Sequence, residues 1–115
     1  MAAMTHIKKT DVEGHLPEAG IRAGADSGNP MLNVQALEHI TGSNVGIWEC
    51  QPGGWPVVDR SDTEVCYILA GAARITDEAS GDVREIAAGD LVVLPVGWTG
   101  RWDVTETVRK VYAIY

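Results

Sequence analysis

Two segments decide the fold of this 115-residue chain: Glu64-Val-Cys-Tyr-Ile-Leu-Ala-Gly71 and Gly89-Asp-Leu-Val-Val-Leu-Pro-Val-Gly97. The first segment is typical of a buried strand that begins with a carboxylate and ends at its glycine. The second begins with a turn glycine and continues as a strand too apolar to face water. It leaves the sheet through Pro95-Val-Gly97, where proline restricts φ and glycine lets the chain turn back. Both segments therefore predict β-strands that end in sharp changes of direction.

Short strands between turns are also predicted for most of the remaining chain. Thr41-Gly-Ser-Asn44 and Pro52-Gly-Gly54 are turn sequences, and residues rich in β-branched and aromatic side chains separate them. Near the end of the chain, residues 98–104 and 107–115 are expected to form two strands joined by a turn near Thr105-Glu106. Many short strands at regular spacing, without a convincing amphipathic helix, indicate an all-β barrel or sandwich.

The length of the chain suits one domain with a single core. Residues 1–31 contain repeated glycine and proline and are predicted to form a loop-rich arm, while residues 32–115 form the β-barrel. Two of the three histidines, His6 and His15, lie in this arm, and His39 precedes both opening segments. No histidine therefore lies within the two opening segments or after them, where it could serve metal binding or nucleophilic catalysis.

The composition excludes several classes of function. A net charge of −7 with scattered basic residues argues against nucleic acid as a partner, because binding it requires clustered lysine and arginine. No apolar run is long enough to span a bilayer, and the N-terminus lacks the apolar stretch of a signal peptide. We therefore expect no membrane partner and a cytoplasmic location, in which Cys50 and Cys66 are reduced.

The two opening segments resemble the two motifs of the cupin superfamily. In cupins, motif one contains a glutamate followed after six residues by a glycine, and motif two reads Gly-x5-Pro-x-Gly. The segments Glu64–Gly71 and Gly89–Gly97 match both spacings. The sequences Trp48-Glu-Cys-Gln-Pro-Gly, Gly97-Trp-Thr-Gly-Arg-Trp and Val108-Arg-Lys-Val-Tyr look like the small single-domain, DUF861-like cupins related to ureidoglycine aminohydrolase and the ethanolamine-utilisation cupin. The resemblance implies a double-stranded β-helix (the cupin jelly-roll barrel) and a homodimer, without indicating a particular reaction.

The resemblance also implies a metal held by three histidines and the motif-one glutamate, of which this chain keeps only Glu64. The positions of the first two histidines fall among Val57, Val58, Asp59 and Arg60. A transition metal needs three or four donors that converge on one point. Asp59, Asp62 or Cys66 could supplement Glu64, and Cys66 shares its strand face. We therefore predict no metal cofactor, with a divalent metal on this irregular donor set as the alternative.

Without a metal, Glu64 is a carboxylate that points into an apolar barrel, where an isolated charge is costly. It is expected either to form a salt bridge with Arg60, Arg101 or Lys110, or to be partly paired and able to bind or deprotonate a ligand. Glu64 is also the candidate catalytic residue. The candidate pocket residues are Glu64, Cys66, Arg101, Trp102, Lys110, Tyr112 and Trp48.

Three functions are consistent with these features. The first is a metal-free cupin that binds a small polar or carboxylated molecule in the barrel. The second is a metal-dependent enzyme of the aminohydrolase-like type with a non-standard ligand set around Glu64. The third is a non-catalytic module whose barrel mainly supports dimerisation. The sequence does not decide whether the protein is an enzyme, and it does not name the ligand.

Overall fold

The computed structural model describes residues 1–115 and contains eight strands and two four-residue helices. In chain order these elements are α1 (Lys9–Val12), β1 (Glu18–Ile21), β2 (Met31–Ala36), α2 (Glu38–Thr41), β3 (Val45–Cys50), β4 (Gly53–Val57), β5 (Glu64–Asp77), β6 (Val83–Ala87), β7 (Leu91–Leu94) and β8 (Gly100–Ile114). No helix has the length and apolar character needed to cross a membrane.

The strands form an antiparallel jelly-roll barrel built around the two longest strands, β5 and β8. The main path through the sheet is β1-β2-β3-β8-β5-β6, with β4 pairing to β8 and β7 pairing to β5. The first half of β8 pairs with β4 and its second half pairs with β3. Because each long strand pairs with two different neighbours along its length, the sheet curves around a single core. The predicted all-β jelly-roll fold is therefore confirmed.

Two predicted strand ends are wrong. The strand that starts at Glu64 does not end at Gly71 but continues to Asp77, and β8 runs through the expected turn at Thr105-Glu106. Between residues 68 and 73 the register of β5 against β8 shifts three times. Such bulges bend a strand without ending it. The barrel therefore turns its corner within two long strands, where the sequence suggested shorter ones.

Residues 1–31 contain two complete regular elements, α1 and β1, and the first residue of β2. Strand β1 pairs with β2 and so extends the sheet. Leu16, which precedes β1, is 2% exposed and borders the same small cavity as the buried Ile47 of β3. The side-chain amide of Asn33 in β2 donates a hydrogen bond to the Leu16 carbonyl at 2.9 Å. The arm is therefore packed against the outer side of β2 and β3.

The core follows the alternation of side chains along the strands. In β5, Glu64, Cys66 and Ile68 face inward and are buried, whereas Tyr67 faces outward and is 48% exposed. The core cluster consists of Cys50, Trp55, Cys66, Ile68, Ala73, Ile75, Leu94, Trp98, Trp102, Val104, Val108 and Tyr112. Glu64 therefore starts its strand on the face that forms the barrel interior.

Candidate functional site

Buried charge locates the candidate site. Glu64 and Lys110 are the two charged residues with buried side chains, and both border a cavity of about 260 Å³ between β3, β4, β5 and β8. A larger groove of about 670 Å³ lies beside β5, β6 and β7, but none of the charged residues that line it is buried. Because burying charge is costly unless the structure compensates it, the smaller cavity is the better candidate.

Three tryptophans form the apolar walls of this cavity. Trp55 of β4 and Trp102 of β8 are paired in register, and their rings are nearly parallel with centroids 6.2 Å apart. Trp48 of β3 meets them at 66° and 59°, with centroid distances of 6.1 and 6.3 Å. These geometries are the ones that aromatic pairs prefer. The three rings therefore form a rigid aromatic wall next to the buried charges.

Glu64 is paired at both carboxylate oxygens. Its Oε2 lies 2.7 Å from Lys110 Nζ, and its Oε1 accepts a hydrogen bond from Arg60 Nη1 at 3.3 Å. Arg60 in turn donates from Nη2 to Asp62 Oδ1 at 3.0 Å and from Nε to the Asp62 carbonyl at 3.1 Å. Asp62, Arg60, Glu64 and Lys110 thus form one network, and Glu64 serves as its central acceptor.

Lys110 occupies an aromatic as well as an ionic environment. Its Nζ lies 4.2 Å from the centroid of Trp48 and 4.7 Å from that of Trp102, within the range of cation–π interaction. The preceding Arg109 faces the other side of β8, where it pairs with Glu49 and donates to the Val12 carbonyl. Of the two adjacent basic residues, Lys110 is therefore the one that enters the barrel.

Tyr112 borders the cavity through a largely buried phenol. Burial raises the pKa of Tyr112, and the nearby Glu64 carboxylate raises it further, so the hydroxyl remains protonated at neutral pH. Gly46 is the residue paired with Tyr112 across β3 and β8. A Cβ atom at Gly46 would lie 2.5 Å from the Tyr112 hydroxyl oxygen. Glycine at this position therefore leaves room for the phenol.

Two of the candidate pocket residues lie outside the cavity. Cys66 is 1% exposed and belongs to the core, where burial raises the pKa of its thiol to about 11. Arg101 precedes the inward-facing Trp102 and therefore points to the opposite face of β8. There it pairs with Asp26 at 2.7 Å and with Asp103 at 3.0 Å. The structure brings together the remaining candidates Glu64, Trp48, Trp102, Lys110 and Tyr112.

Arg22 is a cavity residue that sequence reasoning missed. It follows β1 in the arm, and its guanidinium carbon lies 5.1 Å from the centroid of Trp55. Burial lowers the pKa of Arg22, although an arginine remains charged at any physiological pH. The sequence gives no signal for this contact, because it depends on the path that the loop after β1 takes across the barrel.

The donor atoms at this site do not fit the metal that cupins usually hold. Both Glu64 oxygens are taken by cations, and the Asp62 carboxylate contacts Arg60. The backbone N–H of Asp59 donates to Thr99 Oγ1, and Cys66 is buried in the core. No three of the His, Cys, Asp and Glu side chains are grouped so that they could hold a metal ion. We therefore derive no chemical step through a metal.

Comparison with known proteins identifies the family. A family model described as the EutQ-like cupin domain matches residues 37–112. This chain belongs to that family. A DUF861 family protein from Thermotoga maritima is 31% identical, with a TM-score of 0.57, and the match covers 73% of this chain and 99% of that one. The resemblance to small DUF861-type cupins is therefore confirmed.

Other solved structures support the cupin fold at lower identity. A DUF861 family protein from Pseudomonas syringae matches with a TM-score of 0.77 and 23% identity over 91% of this chain and 46% of that one. A putative ethanolamine utilization protein, EutQ, from Salmonella typhimurium matches with a TM-score of 0.67 and 20% identity over 84% of this chain and 76% of that one. No curated protein matches this cupin significantly.

Proposed function

We propose that this cupin binds a small polar organic molecule in the cavity beside Glu64 and Lys110, through protein side chains without a metal ion. The observation that carries the proposal is the buried Glu64–Lys110 pair placed against three tryptophan rings. Apolar walls with a few convergent polar groups are typical of small-molecule sites. The cavity volume of about 260 Å³ suits a molecule smaller than a drug.

The polar groups that face the cavity are mainly hydrogen-bond donors. Each Glu64 oxygen already contacts a cation, so its role is to hold Lys110 and Arg60 in place. The Lys110 ammonium has three N–H groups, and Glu64 takes one of them. The protonated Tyr112 hydroxyl and the Asn44 amide add further donors. A ligand with acceptor oxygens on an apolar body would match this arrangement.

Tryptophan indole signals in a ¹H–¹⁵N NMR spectrum provide the test. Titration with small carboxylates and amides, such as propionate, propionamide, benzoate and benzamide, should shift the indole N–H signals of Trp48, Trp55 and Trp102. Trp98 lines the larger groove instead and serves as an internal control. Shifts of equal size at Trp98, or no shift at the three wall tryptophans with any of these probes, would contradict the proposal.

Two variants, one in the cavity and one outside it, test whether the probes bind at the proposed site. Trp48→Leu removes one wall of the cavity and should weaken binding of the aromatic probes. Val83→Leu changes an exposed residue of β6 that lies outside the cavity and should leave binding unchanged. Equal affinities for the wild type and Trp48→Leu would place the probes somewhere other than the proposed site.

A further inference from the structure

We propose that Arg22 is the anchor for a carboxylate, so that this site selects small monocarboxylic acids over their neutral analogues. The inference rests on the proposed function, because it requires that the cavity binds a small molecule. Beyond that function, it specifies that the molecule is negatively charged and that Arg22 recognises this charge. Arg22 lies in the loop between β1 and β2, a part of the chain in which sequence reasoning placed no site residue.

The first observation is the distribution of charge around the cavity. The network formed by Asp62, Arg60, Glu64 and Lys110 contains two cations and two carboxylates and is therefore neutral. Arg22 is not part of this network and makes no ion pair with any carboxylate of the chain. Its Nη1 donates instead to the neighbouring Ala23 carbonyl. The cavity therefore retains one uncompensated positive charge, in a protein whose net charge is −7.

The second observation is that Arg22 is held in place by contacts made elsewhere in its loop. The Arg22 backbone N–H donates to the Pro30 carbonyl at 2.9 Å, which closes the loop at its base. The Asp26 N–H donates to the Gly54 carbonyl at 3.0 Å, and the Gly54 N–H donates to the Ser27 carbonyl at 2.9 Å. The loop is therefore attached to β4, next to Trp55, over which the guanidinium lies.

A double hydrogen bond fastens the same loop to β8. The two terminal nitrogens of Arg101 donate to the two Asp26 carboxylate oxygens at 2.7 and 2.8 Å. This paired geometry is directional as well as strong for an ion pair. Arg101 therefore acts from outside the cavity as a positioning residue for Arg22.

These features define the ligand that the site would take. A guanidinium binds a carboxylate through two parallel hydrogen bonds, a geometry that a neutral amide cannot reproduce. With the carboxylate on Arg22, the body of the ligand would lie along the tryptophan wall and direct any further acceptor oxygen toward Lys110. One uncompensated charge on the protein matches one charge on the ligand.

The test compares acid and amide pairs of the same shape by calorimetry or NMR at pH 7: benzoate with benzamide, and propionate with propionamide. The wild type should bind each acid about tenfold tighter than its amide, the usual size of a charge-assisted contact. Arg22→Gln should abolish this preference by weakening the acids alone, and Arg22→Lys should keep part of it. Arg74→Gln, which removes an exposed arginine on β5, is the matched control and should bind like the wild type.

The affinity for an acid relative to that for its amide also tests the positioning role of Arg101 and Asp26. Asp26→Asn should lower the preference for acids without changing amide binding, an effect that a general loss of stability would not produce. Equal binding of acids and amides by the wild type, or a preference that survives Arg22→Gln, would overturn the inference and leave the proposed function standing. Failure of all four probes to bind would overturn both.

Discussion

At the scale of single residues, Glu64 is stable in the barrel because two cations share its charge. Removing one partner of a buried ion pair destabilises a protein by far more than the intact pair stabilises it. The reason is that the remaining charge is left uncompensated and out of water. Lys110 is the closer partner at 2.7 Å, and its side chain is 7% exposed. Glu64 therefore depends mainly on Lys110, with Arg60 as a second and longer contact.

Lys110→Met should lower the free energy of unfolding by about 3 kcal/mol, the scale expected when a buried carboxylate loses its partner. The double variant Glu64→Gln with Lys110→Met should be more stable than the sum of the single effects, because it removes both charges together. Urea denaturation of Lys110→Met, Glu64→Gln and the double variant is the measurement, and Arg74→Met serves as the exposed ion-pair control. Additive single effects would show that the two residues are not coupled.

The two cysteines give a prediction about pH. Burial raises the pKa of both the Cys50 and the Cys66 thiol to about 11, from an ordinary value of 9.0. Between pH 9 and 11 the folded state therefore binds more protons than the unfolded state, so the free energy of unfolding should fall as the pH rises through this range. Below pH 9 both thiols are protonated in the folded and the unfolded state, so their contribution to the free energy of unfolding should not change with pH.

Urea unfolding at several pH values checks this prediction. The double variant Cys50→Ala with Cys66→Ala is the control for other groups that titrate in the same range. The wild type should lose stability more steeply than the control above pH 9. In addition, neither thiol should react with a disulfide reagent at pH 8 until the protein is unfolded. Parallel stability curves, or rapid labelling of the folded protein, would contradict the burial of these thiols.

At the scale of elements, Gly71 allows β5 to pass the corner of the barrel as one strand. Its φ is +86°, and an added Cβ would overlap the Thr107 carbonyl of β8. Gly89 has a φ of +94°, but a Cβ there would meet nothing within 4 Å. Gly89→Ala should therefore cost about 1–2 kcal/mol from backbone strain alone, whereas Gly71→Ala should cost clearly more. Chemical denaturation of both variants is the measurement, and equal losses would show that the close approach to Thr107 is unimportant.

The sequence predicted the framework of the fold because its signals there are local. Gly71, Gly89 and Gly97 all have the positive φ that turn and bulge positions require, at 86°, 94° and 85°. The continuity of β5 and β8 was not predictable in the same way. Thr105 and Glu106 are exposed polar residues, which are typical of turns. Only the pairing of this segment with the neighbouring strand shows that the chain stays extended.

The candidate site was predictable only in part, for a related reason. Strand parity correctly separated the buried Glu64 and Cys66 from the exposed Tyr67. Parity alone could not tell which of Arg109 and Lys110 enters the barrel, because that depends on the register of β8 against β3. Residues brought in by loops, such as Arg22, carry no periodic signal at all.

At the scale of the whole molecule, one apolar face of the barrel is left uncovered. Tyr67 of β5 lies opposite Leu91 of β7 on one side and Val111 of β8 on the other, and Val93 is the next outward residue of β7. These four side chains are between 39% and 66% exposed. The N-terminal arm covers the neighbouring β2 and β3 and contacts Arg109 at the margin of this face, but it leaves the four side chains exposed. A contiguous apolar face of this kind usually marks an interaction surface.

We expect a second copy of this chain to cover that face. The four residues carry no charge, and Arg109 at their margin is already paired with Glu49. Because each copy has a net charge of −7, two copies approach with least repulsion through an uncharged face. Light scattering should therefore give a dimer at micromolar concentration, and Tyr67→Lys with Leu91→Lys should give a folded monomer. Val83→Lys, on β6 away from this face, should remain dimeric. A monomeric wild type, or a dimer that survives the double substitution, would exclude this surface as the dimer interface.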